Sequence, residues 1–156
     1  MKSNICARIL PVAALASLLV FSAAGQAAGG NYSSSTDLKP ILKLIESGNY
    51  ESAIDKLHDQ LDQDPDNADI MSLLGFSYRK TQKYEDALTF YQWALRAEPE
   101  HRGANEYLGE LYLETNQFDK AMQQLEILDS LCTFNCKEYT TLKNAIDSYQ
   151  ESGSNS

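Results

Sequence analysis

Residues 68–100 read ADIMSLLGFSYRKTQKYEDALTFYQWALRAEPE, and two successive helical patterns run through them. In each pattern, apolar, aromatic or glycine residues recur at i, i+3, i+4 and i+7. They are Met71, Leu74, Gly75 and Tyr78 in the first pattern and Tyr84, Ala87, Leu88 and Tyr91 in the second. This spacing places the four residues on one face of a helix, and such faces usually pack into a core. The stretch therefore predicts two amphipathic helices joined by a short turn.

The same pair of helices is repeated along the chain at a fixed 34-residue period. The segments GNYESAID, QKYEDALT and NQFDKAMQ begin at positions 48, 82 and 116 and align without gaps. A fixed period of this length indicates supersecondary units that stack on one another. We assign three units, at about residues 37–67, 68–101 and 102–135.

The middle unit resembles a tetratricopeptide repeat. Its residues at the family's signature positions are Leu74, Gly75, Tyr78, Ala87, Tyr91, Ala94 and Pro99. The other units match in part, the third at Leu108, Gly109, Tyr112 and Ala121 and the first at Ala53, Leu57 and Pro65. The resemblance covers about residues 37–150 and implies an all-α fold, a right-handed α-solenoid of helix-turn-helix units.

Gly75 and Gly109 occupy the same position in successive helical pairs. A glycine inside a helix costs about 1 kcal/mol relative to alanine. Its presence therefore indicates that a neighbouring helix comes too close for a side chain. We expect small residues on the facing helix, namely Ala87, Ala94 and Ala121.

One more amphipathic helix follows the third unit, with an apolar face of Tyr139, Leu142, Ile146 and Tyr149. Lys143 takes the position of the two glycines, so we expect that no further helix packs there. Residues 137–150 are therefore predicted to cap the stack with a polar outer face, as solenoids require, and to bring the helices to seven. Residues 151–156, ESGSNS, are predicted to form a disordered tail.

Residues 1–28 have the layout of a secretory signal peptide. Lys2 and Arg8 are the only charges in this segment, an apolar run extends from Ile9 to Phe21, and small residues follow. The run is too short for a membrane span, which takes about 20 apolar residues. We expect cleavage between residues 24 and 28 and a soluble exported product. Residues 29–36, GGNYSSST, are predicted to form a flexible linker.

The chain is acidic. Its net charge is −9, and removal of Lys2 and Arg8 with the signal peptide makes it −11. Nucleic-acid binding is not expected, because it depends on clustered Lys and Arg. The sequence has no Gly-rich phosphate loop and no His-Glu-x-x-His run, which are motifs of nucleotide and zinc chemistry. Its carboxylates are scattered over predicted solvent faces, so we expect neither an enzyme nor a cofactor.

Cys132 and Cys136 flank the turn between the third unit and the predicted cap. Three roles are open to them: a disulfide, a redox-active pair or part of a metal site. An exported protein meets an oxidising environment, which favours the disulfide. Redox enzymes typically place two residues between the cysteines, not three. A structural zinc site takes four ligands, and the remaining candidates, His58 and His101, lie in separate repeats, so no metal is expected.

The C-terminal pattern resembles the end of small exported bacterial tetratricopeptide-repeat proteins. In that group a cysteine pair precedes a Glu and a Leu-x-x-Ala-Ile helix. The matching residues here are Cys132, Cys136, Glu138, Leu142, Ala145 and Ile146. The resemblance implies a location in the periplasm of a Gram-negative bacterium.

The family resemblance also implies a concave groove lined by the first helix of each pair. Its positions correspond to Leu38, Leu42, Ser72, Phe76, Arg79, Lys80, Glu106, Tyr107, Glu110 and Glu114. Such a groove is apolar at one end, basic in the middle at Arg79 and Lys80, and acidic at the other end. The family's carboxylate clamp is not expected, because Leu38 and Leu42 stand where its lysine and asparagine would be.

Two functions from different classes are consistent with this pattern. The first is a periplasmic protein-protein interaction scaffold that binds a peptide or helix, with an apolar anchor and a basic end, in the groove. The second is a structural subunit that self-associates into a homo-oligomer through an exposed helix edge, which the weak first repeat allows. A thiol redox protein that uses Cys132 and Cys136 is a third interpretation.

Overall fold

Seven α-helices and no strands make up the described part of the computed structural model, residues 37–134 and 136–154. In chain order they are α1 (Lys39–Glu46), α2 (Tyr50–Leu61), α3 (Ala68–Lys80), α4 (Tyr84–Ala97), α5 (Arg102–Glu114), α6 (Phe118–Leu131) and α7 (Lys137–Ser154). The expected signal peptide, the expected linker at 29–36 and residues 155–156 of the expected tail lie outside the described residues.

The helices form three pairs, α1 with α2, α3 with α4 and α5 with α6, and α7 follows as a single helix. Each helix packs on its successor along the chain. In addition, α3 packs against α5 and α5 against α7, so these first helices of successive units lie side by side. This arrangement confirms the predicted all-α solenoid of stacked helical pairs.

The apolar stripes of the repeat pattern form the core of the stack. Leu57, Leu74, Tyr91, Ala94 and Leu142 are completely buried. Burying one leucine side chain of this kind contributes about 1.5–3 kcal/mol to folding. The residues that carry the repeat pattern are thus the residues that hold the pairs together.

The turn inside each helical pair has the same backbone conformation in all three units. Gly48, Gln82 and Asn116 have positive φ angles of 75°, 61° and 57°. The backbone N–H after each of them donates to a carbonyl five residues earlier, for example from Asn49 to Leu44 at 2.8 Å. A left-handed residue that closes the last turn in this way is a common helix ending. A left-handed backbone conformation at the turn therefore recurs with the 34-residue period, as the apolar contacts do.

The two helical glycines mark close contacts, but the facing residues are not the expected alanines. A Cβ atom on Gly75 would lie 2.5 Å from two ring carbons of Tyr91 on α4. On Gly109 it would lie 2.4 Å from Cδ2 of Leu142 on α7. The prediction of facing alanines was wrong. Each glycine leaves a space on its helix, and a large side chain of the neighbouring helix fills that space, which keeps the interior closely packed.

The seventh helix is longer than predicted. Residues 151–154 are helical and α7 ends at Ser154, where a disordered tail was expected from residue 151. The segment ESGS contains no proline, so the backbone hydrogen bonding of the helix can continue through it. On the outer face of α7, Lys143 is exposed and donates to the carboxylate of Asp147 at 2.6 Å.

Candidate binding groove

The aromatic residues of the expected groove meet across helices. The ring centroids of Phe76 on α3 and Tyr107 on α5 are 4.9 Å apart, and the ring planes are inclined by 55°. The ring of Tyr50, the first residue of α2, lies 6.2 Å from that of Phe76. All three side chains are half-buried. We call Tyr50, Phe76 and Tyr107 the aromatic patch.

Arg79, which the sequence analysis places in the middle of the expected groove, is only 3 % exposed. Its guanidinium donates one hydrogen bond to Glu110 and one to Glu114 on α5. It also lies 5.4 Å from the centroid of the Phe76 ring. Burial opposes its charge, but the neighbouring Tyr91 hydroxyl and the two carboxylates raise the pKa of Arg79. The expected basic middle is therefore wrong at this position, because the charge of Arg79 is neutralised within the protein.

Lys80 follows Arg79 on α3 and is exposed. Its ammonium lies 5.3 Å from the centroid of the Phe76 ring. A cation at this distance from an aromatic face is attracted by the ring electrons. Lys80 thus supplies positive charge at the edge of the aromatic patch.

Two of the expected groove residues are buried and have no hydrogen-bond partner among the described residues. Ser72 is 2 % exposed, and its hydroxyl has no hydrogen-bond partner in the described part of the chain. Glu106 is 7 % exposed and forms no hydrogen bond or ion pair with another described residue. Burial, assisted by the charges of Glu110 and Glu138, raises the pKa of the Glu106 carboxyl to about 7, while Lys137 and Arg79 act in the opposite direction.

The expected apolar end of the groove lies at α1, and the two residues predicted there differ in exposure. Leu38 is half-buried and packs against the core formed by the first two helical pairs. Leu42 is 39 % exposed. Of the two, Leu42 therefore offers the larger surface to a partner.

The sequence did not predict that α7 lines a cleft together with four of the expected groove residues. A cleft of about 440 Å³ lies between α3, α5 and α7, lined by Arg79, Lys80, Glu110, Leu113, Glu114, Ala145, Ser148, Tyr149 and Ser152. A signal for this position of α7 was present, because adding the 34-residue period to Glu114 gives Ser148. Tyr50 was also missed, since the repeat alignment places it on a second helix.

Comparison with protein-family models identifies the repeat. Two models described as tetratricopeptide repeat match, one over residues 73–130 and the other over residues 44–92. Together they span residues 44–130, more than half of the chain. The chain is a tetratricopeptide-repeat protein. No curated protein matches its sequence.

Solved tetratricopeptide-repeat structures share the fold at low sequence identity. The type III secretion translocator chaperone SycD of Yersinia enterocolitica is 16% identical, with a TM-score of 0.64 over 74% of this chain and 81% of that chain. The first repeat domain of Spaghetti (RPAP3), bound to the HSP90 peptide SRMEEVD, is 19% identical, with a TM-score of 0.63 over 74% and 88%. SycD in complex with a peptide of the translocator YopD is 18% identical, with a TM-score of 0.61 over 72% and 86%.

At the C-terminal end of this tetratricopeptide-repeat stack, Cys132 and Cys136 lie side by side between α6 and α7. Their Cα atoms are 5.6 Å apart, a separation typical of disulfides. Between them, Phe134 is 91 % exposed. The pair is remote in sequence from both histidines, of which His58 bonds the Tyr78 hydroxyl at 2.9 Å.

The described residues contain neither a metal-binding cluster nor a membrane-spanning helix. Within residues 37–134 and 136–154, no three or more His, Cys, Asp or Glu side chains are grouped so that they could hold a metal ion. None of the helices described for this chain is long and apolar enough to cross a membrane.

Proposed function

We propose that this tetratricopeptide-repeat protein is an exported, periplasmic interaction scaffold that binds a peptide or helical segment of another protein in its concave groove. The observation that carries the proposal is the aromatic patch. Phe76 and Tyr107 are half-buried, in ring contact at 4.9 Å, and flanked by charged side chains. Partly exposed aromatic anchors ringed by polar groups are typical of the residues that dominate binding energy at protein interfaces.

The solved relatives support a groove of this kind, since SycD and Spaghetti are known with bound peptides of YopD and HSP90. Their sequences are only 18% and 19% identical to this chain, so the sequence of the bound segment is not carried over. The occupant is proposed from the groove itself, as a segment with an apolar anchor for the aromatic patch.

The test is affinity capture from a periplasmic extract with the wild-type protein and with Phe76→Ala and Tyr107→Ala. We expect one or more proteins to be retained by the wild type and lost on both variants. Trp93→Ala is the matched control, because Trp93 is an exposed aromatic residue on α4, at 42 % exposure, outside the groove. If retention is unchanged on both groove variants, or is lost equally on the control, the groove function is wrong.

Self-association is the second candidate. The observation that favours it is the exposure of two apolar side chains near the two ends of the described chain, Leu42 at 39 % and Phe134 at 91 %. A molar mass that rises with protein concentration in light scattering, and falls back to that of a monomer in a Leu42→Ser, Phe134→Ser variant, would favour this function. A constant monomeric mass would exclude it.

A further inference from the structure

Glu106 is a buried acid without a partner among the described residues. It is 93 % removed from solvent, as its exposure of 7 % shows, and no described side chain forms a hydrogen bond or ion pair with it. The Glu106 oxygens are not among the described polar atoms that are both closed to solvent and unpartnered, so they keep a small contact with solvent. The loss of most of the hydration is still costly unless an opposite charge or hydrogen-bond donors compensate it. Such a group calls for an explanation, for example a catalytic role or a bound ion.

The positive charges around Glu106 are engaged elsewhere or exposed. Three glutamates follow one another at intervals of four on α5, namely Glu106, Glu110 and Glu114, and therefore share one face of that helix. Arg79 of α3 donates to the second and third. From α7, Lys137 and Glu138 influence the Glu106 carboxyl with opposite signs, and Lys137 itself is exposed.

The surroundings of Glu106 point to a cation. Its neighbour in sequence, Tyr107, belongs to the aromatic patch. On the face that Glu106 shares with Glu110, the Arg79 guanidinium donates to Glu110 and lies 5.4 Å from the centroid of the Phe76 ring. Burial, followed by the charges of Glu106 and Glu110, raises the pKa of the Tyr107 hydroxyl. Electron-rich rings and carboxylates attract the same kind of group, an ammonium or guanidinium.

We propose that Glu106 is a socket for a lysine or arginine side chain of the bound segment, next to an apolar residue that packs on Phe76 and Tyr107. The inference rests on the proposed groove function and adds to it the chemistry of the partner. The charge of this socket is opposite to that of a clamp that binds carboxylates. Added salt should weaken the binding of such a partner, because salt screens the attraction between the basic segment and the acidic chain.

Proton binding gives the socket a pH dependence. The pKa of the Glu106 carboxyl is about 7, set by burial together with Glu110 and Glu138 against Lys137 and Arg79. Below that pH the empty socket is largely neutral, and above it the socket is negative. A bound cation favours the ionised form. Affinity for a basic segment therefore increases from about pH 6 to about pH 8, and the bound segment lowers the pKa of Glu106.

The test uses a phage-displayed library of random peptides about a dozen residues long. It is selected separately on wild type, Glu106→Gln, Phe76→Ala and Lys137→Gln. We expect peptides from the wild type to carry a lysine or arginine at constant spacing from an apolar residue. Peptides selected on Glu106→Gln should no longer be enriched in this basic residue, whereas those selected on Lys137→Gln should still carry it. On Phe76→Ala, none of these peptides should be selected.

A double-mutant cycle then measures the contact. In the best selected peptide, the basic residue is replaced by norleucine, which keeps the aliphatic stem and removes the charge. Calorimetry is expected to show about tenfold weaker binding to wild type and less than about twofold weaker binding to Glu106→Gln. Carboxyl NMR of wild type is expected to show a lowered Glu106 pKa with the basic peptide and no change with the norleucine peptide.

The outcomes separate this inference from the groove function. Phe76-dependent peptides without a constant basic residue, or a norleucine effect that is equal on wild type and Glu106→Gln, overturn the socket and leave the groove function standing. Failure to select any Phe76-dependent peptide overturns the groove function and the socket with it.

Discussion

Two single residues of this stack occupy positions that their own chemistry disfavours. Gln82 has the left-handed backbone conformation that glycine adopts at the equivalent Gly48. Glu106 is a buried acid that no other described residue pairs with. Both conditions lower stability, so a substitution that suits the position is expected to stabilise the protein.

Gln82→Gly is expected to increase the free energy of unfolding by about 0.5–1 kcal/mol. A side chain in the left-handed region costs about 1–2 kcal/mol, and the greater freedom of glycine in the unfolded chain offsets part of the gain. Chemical denaturation measures the difference. Asn116→Gly is the matched variant and should gain less, because asparagine tolerates this conformation better. A less stable Gln82→Gly would show that the turn depends on the glutamine side chain.

Glu106→Gln is expected to stabilise the protein at high pH only. The folded-state pKa is about 7, above the ordinary 4.5, so the folded protein binds this proton more readily than the unfolded chain. The contribution of Glu106 to the stability of wild type therefore falls as pH rises from about 4.5 to about 7, and glutamine avoids this loss. Thermal unfolding should show a higher Tm for the variant at pH 8 and little difference at pH 4. Glu126→Gln, at an exposed position of α6, is the control; equal shifts in both variants would contradict the prediction.

Among helices, the contact of α5 with α7 includes a close approach of one glycine and one leucine. Gly109 leaves space that Leu142 fills, and the leucine is completely buried. The equivalent space at Gly75 is filled by Tyr91 from within the same helical pair. The space at Gly109 is therefore filled by the single helix α7 and not by the partner helix within the pair.

Gly109→Ala is expected to lower the free energy of unfolding by about 1–3 kcal/mol, because the new methyl group overlaps Leu142. Leu142→Ala alone should cost about 2–5 kcal/mol through the cavity it leaves. In the double variant the alanine methyl enters that cavity, so the combined loss should be smaller than the sum. Urea denaturation of the four proteins gives the coupling, with the exposed Lys143→Ala as control. Additive losses would mean that the two residues do not share this contact.

At the largest scale, the described residues form a helical stack in an acidic chain, and residues 1–28 are predicted from the sequence to be an export signal. If export and oxidation occur as proposed, Cys6 is removed with the signal and Cys132 and Cys136 are left as the only cysteines. Their Cα separation of 5.6 Å permits a disulfide without backbone movement.

Intact mass spectrometry of protein isolated from the periplasm under non-reducing conditions checks this prediction. We expect a mass that corresponds to cleavage between positions 24 and 28, and no reaction with an alkylating reagent, since disulfides persist in an oxidising compartment. A reduced sample should accept two labels. An uncleaved chain whose thiols react rapidly would contradict the periplasmic location and favour a redox or metal role for the pair.

The helical pairs, their period and their buried stripes follow from local sequence. Residues such as Leu74 and Tyr78 belong to one helix, and the geometry of the helical backbone alone determines which of its residues share a face. The turn positions at Gly48, Gln82 and Asn116 recur at the same period. For these features no knowledge of neighbouring helices is needed.

The contacts between helices required the tertiary structure. The sequence identified Arg79 as a groove residue, but its two carboxylate partners are 31 and 35 residues away and neutralise the charge expected to face a partner. In the same way, α7 supplies both the leucine that faces Gly109 and one side of the cleft beside Arg79. Periodicity specifies which face of a helix is buried. The reach of a side chain to the next helix depends on the offset and separation of the two axes, which packing of the whole stack sets.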